Sequence, residues 1–530
     1  MDSPDEEELR ARGESGTIRT ALATLAMFAH MLLKAGVQLI VLPLYLQYLP
    51  RPAFGLWTLF QSGSNYLLLL DMGFGQSVMN LTGEAYARGD RARVKAVLAS
   101  AFFLSLGIVS ALVAVLWIVV PLAPIPWALP ESSTFASAHQ AILLGLVMAT
   151  LTLARVPLLI FLGALAGLRD LAWRHFFELV LPFLFVAAIY AVLVLGGGVP
   201  GLMLVTSSLL LVVTAGAWPL LRYRHPFLNL RPSYYDPALA RFIFINSLHF
   251  LPISLSILLQ REILNLLVAT FCPLSTLPQV YLLLTIFKVM LPVPLNVISS
   301  ALQPYVIKFS SLGEDDKVEL LLQLLLKWGM VVSFVLGIDT CLLGTDIISA
   351  WLDSSMLLGS SFFLVFAVGL LGDAVVSAPT YLAVALNRHR KLSRVVLSVS
   401  FASTCAAGAA AWLLPTPPLP TIVFTFLGTG LLLNLSLIPT TVETALNLPR
   451  RMILRTSMAA LVRLLLLVAL PSVSIHALLP DRLLARILLA AAASIASVLL
   501  AWSAILEGPE RDWLAERARS AMKIVFFRRL

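Results

Sequence analysis

Eight ionisable side chains interrupt long apolar runs: the cations Lys34, Arg155, Arg261 and Lys288, and the carboxylates Asp71, Glu262, Asp339 and Asp373. Such a group costs about 2.5–3.5 kcal/mol at the centre of an apolar helix, so it persists where it faces a wet cavity, a partner or a solute. The cations could take the place of water around an anionic group, Arg gripping it bidentately and Lys acting as a point charge. The carboxylates are candidate carriers of a proton or a metal cation, because desolvation disfavours their charged form. Structural readings stand beside these. Lys34 can pair with Asp71, Asp71 can cap the turn at Gly73 and Gly75, and Arg261 can partly neutralise Glu262. Adjacent helical residues nevertheless point about 100° apart. Arg463 is a further cation nearer one end of its run, and Arg463, Arg482 and Arg486 are expected to snorkel to head groups.

Other chemistry is thinly represented. His30 and His249 occupy equivalent places in two spans, but neither spacing nor an HExxH pattern supplies a third ligand. They are read as polar residues packing helices together, and no metal site is expected. Cys272, Cys341 and Cys405 form no CxxC pair and are read as small apolar fillers. Gly73-x-Gly75 lacks the strand and third glycine of a nucleotide loop, so no catalytic residue and no bound cofactor are expected.

The elements that must position these groups are set by composition. The 530 residues are 59% hydrophobic and 12% charged, with mean hydropathy +0.92, whereas soluble chains carry about 25% charge. There is too little charge to coat soluble domains, so the chain is expected to be an all-α polytopic membrane protein. The net charge of +9 is assigned to membrane orientation rather than to nucleic acid. At about 20 residues per span, roughly fourteen spans follow, starting near Ile18, Ala53, Val94, His139, Trp173, Gly201 and Leu239, then Leu277, Val318, Leu357, Lys391, Pro420, Arg451 and Leu483. The first is read as an uncleaved span rather than a signal peptide.

Lys and Arg cluster in every second connection, as in Arg88–Lys95, Arg169–Arg174, Arg222–Arg231 and Arg388–Arg394. That alternation predicts both termini in the cytoplasm of a bacterial inner membrane, in contact with its lipids. Short loops leave no room for a soluble catalytic domain. Pro43, Pro157, Pro182, Pro252, Pro292, Pro294 and Pro379 allow kinks, and Gly163-x-x-x-Gly167 suits close helix packing. The link Ala166–Arg174 is similar to Ala385–Arg394, which suggests two parallel repeats. The expected organisation is a tail (1–17), an N-lobe of helices one to six (18–235) and a C-lobe of helices seven to twelve (236–448). Two further helices (449–506) and a basic tail (507–530), read as a surface helix, complete it.

The first three spans carry the most distinctive text. Lys34-Ala-Gly-Val37 precedes Pro43-Leu-Tyr-Leu-Gln-Tyr-Leu-Pro-Arg-Pro-Ala-Phe-Gly-Leu-Trp57, then Leu70-Asp-Met-Gly-Phe-Gly-Gln-Ser77 and Gly89-Asp-Arg-Ala-Arg93. This order resembles the polysaccharide-flippase (Wzx-like) branch of the multidrug/oligosaccharidyl-lipid/polysaccharide (MOP) exporter superfamily. Leu49-Pro50-Arg51 stands where that family has Leu-Gly-Pro, and Phe54 where Tyr is common. Gln260-Arg-Glu262 followed by Tyr281 echoes the start of the family's second lobe.

The resemblance implies alternating-access flipping of an undecaprenyl-diphosphate-linked oligosaccharide, alongside a polysaccharide polymerase and other assembly proteins. Lys34, Arg155, Arg261 and Lys288 would then hold the diphosphate. Asp71, Asp373, Asp339 or Glu262 would couple flipping to a proton or sodium gradient. A small-molecule efflux antiporter of the same superfamily is the alternative. A membrane polymerase or glycosyltransferase is disfavoured by the short outer loops. Neutralising the four cations one at a time is expected to lower flipping in a complementation assay; full activity in all four variants contradicts the cationic cavity.

Overall fold

A computed structural model describes residues 29–33, 36–71, 73–122, 138–168, 170–248, 251–290, 312–352, 354–386, 390–415, 418–446, 448–469 and 483–500, with a few isolated positions besides. Lys34, His249, Pro292, Pro294, Arg482 and the N-terminal tail lie outside them, as does nearly all of the C-terminal tail. Every regular element among the described residues is helical. Ten of the helices are long and apolar enough to cross a membrane, as expected of an all-α polytopic chain. Shorter or broken helices fall where the other spans are expected.

The chain forms two compact units, Met1–Leu282 and Leu283–Leu530. The first contains α1 (Ala29–Tyr48), then α2 (Arg51–Leu67), α3 (Phe74–Ala87), α4 (Arg91–Leu122), α5 (Ala138–Gly167), α6 (Leu171–Val194), α7 (Gly198–Ala215), α8 (Ala217–Arg224), α9 (Pro237–Leu248) and α10 (Leu251–Phe271). Helix α11 (Leu277–Leu284) leads into the second, which contains α12 (Asp315–Trp351), α13 (Ser360–Ala385), α14 (Arg390–Leu413), α15 (Pro418–Leu446), α16 (Arg450–Leu464) and α17 (Leu483–Leu500). Helix α9 is tied into the first unit by polar contacts. Ser100 Oγ accepts the Asp236 N–H at 2.9 Å, and Ser77 and Ser247 share a hydroxyl hydrogen bond of 2.9 Å.

Local chemistry explains the helix ends. Proline in the first turn opens α2, where its missing N–H has no partner to lose. The Asp236 carboxylate caps α9 by accepting the N–H groups of Ala238 (2.9 Å) and Leu239 (3.2 Å). The segment expected as one span from Ala53 is broken. After α2, a 3-10 turn runs Leu68–Asp71. Gly73 then adopts φ 77°, a left-handed conformation that side chains resist, and α3 begins. Discontinuous helices leave backbone groups that only protein or a wet cavity can satisfy.

The first unit's core interleaves Phe74 and Val78 of α3, Leu98 of α4 and Ile160, Phe161 and Leu165 of α5. A glycine seam lets α3 and α5 touch backbone to backbone. A Cβ at Gly163 would lie 2.4 Å from the Gly75 carbonyl oxygen, and one at Gly167 would lie 2.1 Å from Thr82 Oγ1. The small-residue reading of Gly163 and Gly167 thus finds its partners, Gly75 and Gly83, on α3. Gly163→Ala is expected to cost about 1–3 kcal/mol through overpacking. In thermal unfolding of the detergent-solubilised protein it should lower Tm, whereas Gly107→Ala, whose added methyl meets nothing within 4 Å, should not.

Candidate functional site

The α1–α2 corner builds the frame of the site. Tyr45 packs on Phe54 (ring centroids 5.1 Å apart), and Phe54 meets Tyr281 edge-on at 5.8 Å. Tyr281 Oη donates to Gln38 Oε1 at 3.3 Å. The Gly55 face of α2 lies so close to the Leu274–Thr276 turn that a Cβ would fall 2.1 Å from the Leu274 carbonyl oxygen. The Pro43–Trp57 text and Tyr281, noted separately in sequence, are therefore one packed cluster.

Two turns further along α2, this packing aims a polar row at α10. Glu262 Oε2 accepts from Ser62 Oγ at 2.6 Å, and Oε1 accepts from Asn65 Nδ2 at 2.9 Å. Asn265, a helical turn after Glu262, donates from Nδ2 to Ser62 Oγ at 3.0 Å. Ser62 and Asn265 are 1% and 2% exposed. Among the described residues, no Lys, Arg or His lies within ion-pair distance of this carboxylate. Its neighbour Arg261 is exposed, so the two point to different faces and Arg261 does not neutralise it. Around the same helices, Gln61 Oε1, Tyr66 Oη and Asn265 Oδ1 are buried without a hydrogen-bond partner among the described residues. Buried polar atoms ordinarily find a partner, so this concentration makes the facing sides of α2 and α10 the candidate site.

Asp71 sits at the break between α2 and α3. Its carboxylate accepts the backbone N–H of Gly75, as a cap for α3, while Oδ1 is buried without a hydrogen-bond partner among the described residues. The ion pair with Lys34 considered for it involves a residue outside the described set. Arg155 of α5 is half-buried and donates from Nε to Thr214 Oγ1 of α7 at 3.4 Å. Among the described residues no carboxylate neutralises it. Lys288 lies on a π-helical turn, Thr285–Met290, a departure from α-helix common at functional positions; its side chain is outside the described set.

The second unit accounts for two other carboxylates. Asp339 of α12 accepts from Ser494 Oγ of α17, and Asp346 pairs with Arg486 at 2.7 Å. Arg486 therefore serves as an α12–α17 tie and does not snorkel to a head group. Asp373 is half-buried on α13, and Arg463 is exposed on α16. All three cysteines are free thiols.

Three groupings were not singled out by sequence. Ser62, Asn65 and Asn265 complete the surroundings of Glu262; polar amides within apolar runs were the available signal. Asp170 receives a bidentate contact from Arg224 (3.1 and 3.3 Å) and pairs with His225 at 2.8 Å. Arg224 in turn stacks over Trp173, 5.1 Å from its ring centroid. Finally, His30 of α1 meets His175 and Glu178 of α6. These three side chains are close enough that they could hold a metal ion, and His175-x-x-Glu178 was the sequence signal for the pairing.

No family model matches the chain, and no curated protein sequence matches it. Its fold is similar to solved multidrug-transporter structures. An inward-facing MATE-family multidrug resistance transporter of the MOP superfamily superposes with TM-score 0.63 at 14% identity, covering 78% of this chain and 96% of that one. An outward-facing MATE transporter gives 0.58 at 13%, covering 81% and 96%. A mutant of the Vibrio cholerae MATE transporter VcmN gives 0.57 at 14%, covering 82% and 97%. At these identities the likeness is one of fold.

Asp170→Ala removes the acceptor shared by Arg224 and His225. It is expected to cost about 1–3 kcal/mol, read as a lowered Tm of the detergent-solubilised protein, with Asp170→Asn losing less.

Proposed function

We propose that this chain is a multi-pass secondary transporter that exports an amphipathic solute by alternating access, exchanging it for a cation, with Glu262 as the coupling carboxylate. One observation carries this reading. Glu262 is held by Ser62 and Asn65, neutral donors on a facing helix, with no cation paired to it among the described residues. A carboxylate so placed is accommodated by taking up a proton or a metal ion, or by pairing with a cationic solute. Carriers of this kind exchange when the two ligands compete for one negative charge. The break between α2 and α3 beside Asp71 supports the same reading, since interrupted helices commonly form binding sites in transporters. The fold likeness to MATE transporters favours efflux over other cargo.

A second reading rests on Arg155 and on the resemblance carried by the first three spans. Among the described residues Arg155 is met by the neutral Thr214 hydroxyl, and a guanidinium in that position suits a phosphate group. Under this reading the cargo is an undecaprenyl-diphosphate-linked oligosaccharide, carried from the inner to the outer leaflet for surface polysaccharide assembly.

Cells expressing the wild-type chain are expected to extrude a lipophilic cationic dye in a gradient-dependent manner. Glu262→Gln should reduce that efflux at least tenfold at equal membrane expression, and Arg155→Gln should leave it near wild type. Dye efflux that is absent in the wild type, together with loss of surface polysaccharide on deletion and its failure to be restored by Arg155→Gln, would transfer the assignment to the flippase reading.

A further inference from the structure

We propose that His30, His175 and Glu178 form a transition-metal site, suited to Zn2+, that joins α1 to α6. It does not rest on the transport reading, since none of its residues belongs to the Glu262 cluster. One ligand atom from each residue lies within 4.8 Å of the others. Glu178 Oε2 is 3.5 Å from His30 Nδ1 and 3.2 Å from His175 Nδ1. Those separations match the edges of a tetrahedron: with metal–ligand bonds of about 2.0–2.1 Å, neighbouring ligands stand about 3.4 Å apart. Two imidazoles and a carboxylate suit zinc and its first-row neighbours, whereas calcium and magnesium take all-oxygen sets.

The surroundings favour a built site over chance proximity. His175 and Glu178 are three residues apart, so one helical face presents both. Arg174 Nε donates to Glu178 Oε1 at 3.2 Å. That contact fixes the carboxylate and leaves Oε2 toward the imidazoles, the arrangement in which an outer contact orients a metal ligand. The side chains are largely shielded, His30 at 22%, His175 at 12% and Glu178 at 18% exposure. Three protein ligands leave the fourth tetrahedral position for water or a solute donor. Because His30 comes from a different helix, an ion bound here would cross-link α1 to α6 near the start of α6, beside the basic link at Arg169–Arg174.

The test uses the full-length chain purified in detergent, stripped with chelator, and titrated with Zn2+ by calorimetry. Co2+ serves as a spectroscopic probe. The wild type is expected to bind one Zn2+ per chain in the micromolar range or tighter, to show the absorption of tetrahedral Co2+, and to unfold at higher temperature with zinc. His30→Ala, His175→Ala and Glu178→Gln should each weaken binding at least tenfold while eluting as the wild type does in size exclusion, and His139→Ala should bind normally. His30→Gln, which keeps a polar side chain, covers the case in which the alanine variant fails to fold. A wild type that takes up no more zinc than the His30→Gln variant would overturn the proposal and leave an ion-pair cluster between imidazolium and carboxylate. So would unchanged affinity in the folded variants.

Discussion

The constraint on which this molecule depends is the cost of leaving a polar group without a partner in an apolar chain. Few charged residues are available, and the described ones inside helices are largely matched to groups far away in sequence. Glu262 is met by Ser62 and Asn65 and Asp339 by Ser494, and at the start of α6 Asp170 is met by Arg224 and His225. Apolar contacts alone would allow helices to slide and rotate, because hydrocarbon side chains meet lipid as readily as each other. The polar ties select one register. The glycine seam between α3 and α5 does the same by shape, admitting only the alignment in which Gly163 meets Gly75.

Within the first unit these ties converge on α2. It is held at its start by the Tyr45, Phe54 and Tyr281 rings, approaches the Leu274–Thr276 turn through Gly55, and ends in a break at Asp71. Its polar row faces α10. A helix anchored at one end and interrupted at the other can carry a charge-dependent contact without losing its packing. That is why Glu262, rather than the carboxylates tied to α17, is assigned the coupling role. Asp339 and Asp346 join helices and have partners suited to that work.

Much of the architecture was legible in the sequence, since apolar length, prolines and basic connections mark the helices directly. Gly163 and Gly167 were legible as a packing face, though not the partner they pack on. Two kinds of information were not. The break at Leu68–Gly73 hides inside an apolar run, where only the left-handed Gly73 and the Asp71 cap reveal it. Partners across helices were hidden as well, because Glu262 finds Ser62 two hundred residues away and no local period encodes that pairing. Arg486 shows the consequence. Its place near a helix end suggested a lipid head group, while the fold offers Asp346. Arg155 and Arg261, grouped in sequence as lining for one cavity, have different surroundings, the first bonded to Thr214 and the second exposed. Their common role remains a proposal.

The central claim, that Glu262 exchanges solute for a cation, is tested most directly by following the cation itself. Wild-type and Glu262→Gln protein would be reconstituted in sealed liposomes, and proton and sodium movement recorded when a lipophilic cationic solute is added on one side. The account predicts movement of one of these ions opposite to the solute in the wild type and none in the variant. Solute movement without any ion movement in the wild type, or undiminished ion movement in Glu262→Gln, would contradict it.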